Sequence, residues 1–61
     1  MGPEFTAQEW CEQLDSFRHI IGANDDDLRS FTLGAIRSLV RVGDLDGVRA
    51  ALEGLDSAIG S

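Results

Sequence analysis

One histidine, one cysteine and two runs of carboxylates are the residues of this chain whose types could do chemistry. His19 and Cys11 stand in the same short segment. A zinc site draws four ligands from Cys, His and carboxylate groups, and a single His–Cys pair falls well short of that set. A nucleophilic triad needs a histidine placed between a nucleophile and an orienting carboxylate. His19 instead falls in what reads as the last turn of a helix, where the helix dipole accounts for a cation. Cys11 flanks an apolar stripe, where a thiol packs as a small hydrophobe. Asp25-Asp26-Asp27 and Asp44-Leu45-Asp46-Gly47 invite a calcium reading. The calcium loop needs alternating oxygen ligands, a glycine at its sixth place and a glutamate at its twelfth. Neither run supplies them, and helix capping explains both. The expectation is a non-enzyme with no metal and no cofactor.

Leu55-Asp56-Ser57 contains the Asp-Ser pair at which carrier proteins accept phosphopantetheine, but that serine must open a helix. Ser57 falls near the end of one. With no strand in prospect, a glycine-rich phosphate loop between strand and helix has no place either. Ubiquitin-associated domains have this size, but the segment after Gly22 reads Ala-Asn-Asp-Asp-Asp and lacks their Met-Gly-aromatic first loop. The sequence thus assigns no family.

Bulk properties narrow the class. Sixty-one residues make one small domain, and a chain of that size buries only about 60% of its extended surface. A deep substrate cavity has no room. Hydrophobic content of 43% argues against disorder. The net charge is −6 and the pI about 4.3. Binding to nucleic acid is dominated by neutralisation of phosphates, so an acidic chain is a poor candidate for it, and for anionic membranes. All five basic residues are arginine. A lone cysteine permits no intramolecular disulfide, so a reducing, cytoplasmic setting is expected. No apolar run approaches the roughly 20 residues a membrane span requires. Met1 to Phe5 reads as an expression-tag remnant, and residues 6–61 as one domain excised from a larger protein.

Punctuation along the chain predicts an all-α fold, a compact antiparallel three-helix bundle with helices at about 7–21, 25–42 and 45–59. Thr6 and Glu9 have the spacing of a capping box, with Phe5 and Trp10 placed as a hydrophobic staple. Trp10, Leu14, Phe17 and Ile21 make one stripe, and Gly22 is the stop. Asn24 or Asp25 caps the second helix, whose main stripe is Leu28, Phe31, Ala35, Leu39 and Val42. Leu33, Ile36 and Val40 widen that arc to roughly 200° at about 100° per residue. So wide an arc makes the second helix the expected central element. Gly43 ends it and Asp44 caps the third, with Leu45, Val48, Leu52, Leu55 and Ile59 expected in the core. Connections this short make consecutive helices antiparallel neighbours.

Two features exceed what folding requires. Gly47, Ala51, Gly54 and Ala58 line one face of the third helix, and each helical glycine costs about 1 kcal/mol relative to alanine. The seam suits either close packing inside the bundle or a helix from a second molecule. Arg37 and Arg41 lie one turn apart, and like charges at that spacing repel mildly. Pairing with Glu9, Glu12, Asp44 or Asp46 would explain them, and so would an acidic partner. The expected function is a non-catalytic docking or adaptor module. A partner helix or short amphipathic segment would lie beside the second and third helices, on Leu33, Ile36, Val40 and Leu55, oriented by Arg37 and Arg41, with Ala51 and Gly54 open to close approach. The alternatives are a homodimer through the small-residue seam and a docking element of a multi-enzyme assembly.

Overall fold

The computed structural model describes residues 6–60. The proposed tag remnant and the Phe5 half of the staple lie outside them. Three helices follow one another: α1 (Ala7–Ile21), α2 (Asp25–Arg41) and α3 (Leu45–Gly60). They form the expected three-helix bundle, and there is no strand among the described residues.

Local chemistry sets each boundary. The Thr6 side chain accepts from the Glu9 amide at 3.1 Å, and a Glu9 carboxylate oxygen accepts from the Thr6 amide at 3.1 Å. Two of the free amides at the start of α1 are thereby satisfied. Gly22 adopts φ 66°, ψ 31°, and its amide closes the helix on the Phe17 carbonyl. Asn24 caps α2 in a second capping box, because the Asp27 carboxylate reaches back to the Asn24 amide at 3.1 Å. Val42 terminates α2, and Gly43 turns the chain at φ 79°. Asp44 then accepts from the Gly47 amide at 2.9 Å, which caps α3.

The packing departs from expectation in one respect. The central element is α3, not α2. It lies close against both other helices, while the α1 and α2 backbones stay further apart. Its buried residues are Gly47, Ala51, Gly54 and Ala58. A Cβ built on Gly54 would come within 2.8 Å of both the Ala7 carbonyl oxygen and Trp10 Cβ. One built on Gly47 would meet the Asp44 carboxylate and Leu39. The seam is filled from within the chain. Helix axes approach within about 8 Å only where side chains are small, and α3 uses that to bring both neighbours in.

Large side chains span the wider gap between α1 and α2. Phe17 and Phe31 meet edge to face with ring centroids 4.9 Å apart. Trp10 Nε1 donates to Thr32 Oγ1 at 2.9 Å. Thr32 is almost wholly buried, yet the hydroxyl costs little because it is hydrogen-bonded. Leu14, Ala23, Leu28 and Ala58 form the innermost cluster, with Trp10, Cys11, Phe17, Leu55 and Ile59 packed around it.

Several residues expected in the core are outside it. Leu45 is 72% exposed and Leu52 51%, because α3 turns its glycines and alanines inward instead. Ile21, the last residue of α1, and Val42, which caps α2, are exposed. Phe31 sits at the margin, paired with Phe17 and about a third exposed.

Candidate functional site

Each group that invited a catalytic or metal-binding reading has a structural task or an open position on the surface. The three consecutive aspartates divide their work. Asp25 pairs with Arg18 at 2.8 Å, Asp26 with Arg29 at 3.1 Å, and Asp27 completes the second capping box. Asp44 is taken up by the α3 cap. Cys11 is half-buried against the core cluster, and His19 is exposed. Ser57 lies on the exposed side of α3 near its end. Among the described residues, no three His, Cys, Asp or Glu side chains converge as a metal site would require. No helix among them is long and apolar enough to cross a membrane.

The flanks of α2 and α3 that turn away from α1 carry the exposed apolar surface. On α2, Phe31 marks the side toward α1. Leu33 and Val40 lie about 160–180° round the helix from it, at roughly 100° per residue. Each is 56% exposed, and Ile36 beside them is half-buried. On α3, Gly54 marks the side toward α1. Leu52 lies about 160° away from it by the same rotation, and Leu55 is half-buried at the edge of the core. A shallow hollow on this flank is lined by Leu52, Glu53, Leu55, Asp56 and Ile59.

Arg37 is rotated by only about 40° from Leu33 and 60° from Val40, and Arg41 lies about 40° beyond Arg37. Both are exposed. The intramolecular partners considered for them are not engaged with them. The ion pairs among the described residues join Arg18 to Asp25 and Arg29 to Asp26, and Arg37, Arg41 and Arg49 have none. Glu9 instead serves its own capping box, Glu12 accepts from the Gln8 amide nitrogen, and Asp44 caps α3.

Of the eight residues singled out from sequence, Leu33, Ile36, Arg37, Val40, Arg41 and Leu55 lie on the α2 and α3 surfaces just described. Ala51 and Gly54 do not. They are buried, and Gly54 lies against α1, so that face of α3 is occupied from within the chain. Leu45, Leu52 and Arg49 belong to the exposed surface and were not in that set. The signal for them was the small-residue stripe itself. Once glycine and alanine take the inside of α3, its leucines must face outward.

Comparison with known proteins found no matching family model, no similar curated protein and no similar solved structure.

Proposed function

We propose that the chain is a non-catalytic protein-interaction module. Its α2/α3 side receives a helix or short amphipathic segment that carries acidic residues. Leu33, Ile36, Val40, Leu52 and Leu55 supply apolar contact, and Arg37 with Arg41 orients the partner's carboxylates. The observation that carries this reading is one of coincidence. Exposed leucine and valine lie beside arginines that no carboxylate of the described chain neutralises. Apolar anchors flanked by arginine are a common form of helix-in-groove recognition. The chain's own net charge of −6 selects against polyanions and leaves a local cationic patch as its distinctive feature. The lone, half-buried thiol of Cys11 suits a reducing, cytoplasmic setting.

The test is an amide chemical-shift titration of isotope-labelled protein with two synthetic amphipathic helices. Both have leucine at i, i+3, i+4 and i+7, one flanked by glutamate and the other by lysine. Shifts at Leu33, Val40, Leu52 and Arg37 with the glutamate peptide only are the expected result. They should disappear when Arg37 and Arg41 are both changed to glutamate. Equal response to both peptides, or shifts scattered away from this side, would remove the arginines and the surface from the function.

A further inference from the structure

We infer that the acidic helix fitting this surface is α3 of a second copy of the chain, laid antiparallel across a two-fold axis near Leu52. The inference rests on the interaction-module reading and names its partner.

The outer side of α3 has the repeat such a pairing needs. Leu45, Leu52 and Ile59 are seven residues apart, and Val48 and Leu55 fall between them in the same rhythm. That alternation of three and four is the apolar seam of a helix pair. Here it is not used up inside the bundle. Leu45 and Leu52 are exposed, and Val48, Leu55 and Ile59 are half-buried along its edge.

Charge sets the direction. Arg49 lies three residues before Leu52 and Asp56 four residues after it, next to the same seam. Both are exposed and without an ion pair among the described residues. In an antiparallel pair centred near Leu52, Arg49 of each copy meets Asp56 of the other, and Leu45 meets Ile59. Two identical salt bridges arise from one two-fold axis, as a self-complementary interface demands. A parallel pair would set each of these charges level with its own kind.

The surface is small. Sixteen residues of helix are about 24 Å long at 1.5 Å each, and a single helix stripe falls well below the roughly 800 Å² per partner of a standard interface. The dimer is therefore weak and reversible, with dissociation in the micromolar to millimolar range.

Sedimentation equilibrium from about 10 µM to about 1 mM covers the range that such an interface implies. The expected result is a monomer–dimer equilibrium. L52E should return it to monomer with unchanged helical circular dichroism, because Leu52 is half exposed. R49D and D56R should each weaken the dimer about tenfold, and the double variant R49D/D56R should restore it. A monomer at every concentration, a dimer indifferent to L52E, or a double variant no tighter than its parents overturns the inference. A monomer that still binds the glutamate peptide on Leu33, Val40 and Arg37 would leave the module reading intact and remove only the second copy.

Discussion

Two faces of α3 stand side by side in sequence and do opposite things. Ala51 is fully buried, while its neighbour Leu52 is half exposed. The inner face is Gly47, Ala51, Gly54 and Ala58, and the outer face carries Leu45 and Leu52. Residue size is thus inverted with respect to the usual ordering, in which leucine is buried first. Transfer free energy favours hiding the leucines, by about 2 kcal/mol for each full side chain. Close approach of α1 and α2 to one shared helix has won instead. This difference teaches that the small face is about distance between backbones, and the large face is about what remains free to touch something else.

Substitutions can break or sharpen that contrast. The largest effect is expected at Gly54. G54L drives a side chain into the Ala7 carbonyl and Trp10, and should lower unfolding stability by more than about 3 kcal/mol, or prevent folding. G54A should still destabilise by about 1–2 kcal/mol in urea titrations, overpacking outweighing the gain in helix propensity. A smaller loss of about 1 kcal/mol is expected from T32V, which removes the acceptor of the Trp10 indole hydrogen bond while keeping the volume. Gly34 gives the sharpest control. A Cβ there meets nothing within 4 Å, so G34A should raise stability by about 0.5–1 kcal/mol, the opposite sign to G54A. The smallest effect is expected on the outer face, where L52Q should change stability by about 0.5 kcal/mol or less. If G54A proved neutral or L52Q cost as much as a core truncation, the assignment of the two faces would be reversed.

Element boundaries were legible because capping is local. Thr6 with Glu9, Gly22, Asn24, Gly43 and Asp44 all act on amides or turns within a few residues of themselves. Even so, Asp27 as the return half of the second capping box is masked by the two aspartates beside it. Which stripe of α3 faces inward was not legible. Two apolar faces on one helix compete, and periodicity ranks them by hydrophobicity, whereas the bundle ranked them by how close a neighbour can come. Thr32 was hidden for a related reason. A polar residue enters a core only when a particular donor, here Trp10 from another helix, is brought to it. The candidate surface was half legible. Leu33 and Val40 stood out from the width of the α2 arc, and Arg37 and Arg41 from their one-turn spacing, but whether the arginines were neutralised depended on the rotation of α2 about its own axis. No short-range pattern encodes that rotation.

Trp10 is the one tryptophan of the chain. Its ring lies against Gly54 of α3 and its indole nitrogen bonds to Thr32 of α2. A chromophore on the first helix thereby senses both of the others. Its emission will change when either α2 or α3 leaves, while far-ultraviolet dichroism follows the helices wherever they are. Coincidence of the two signals through a melt would mean that the helices form and dock as one cooperative unit. An earlier loss of the tryptophan signal would expose a state with helices intact and their packing gone. The protein thus carries a built-in gauge of its own cooperativity.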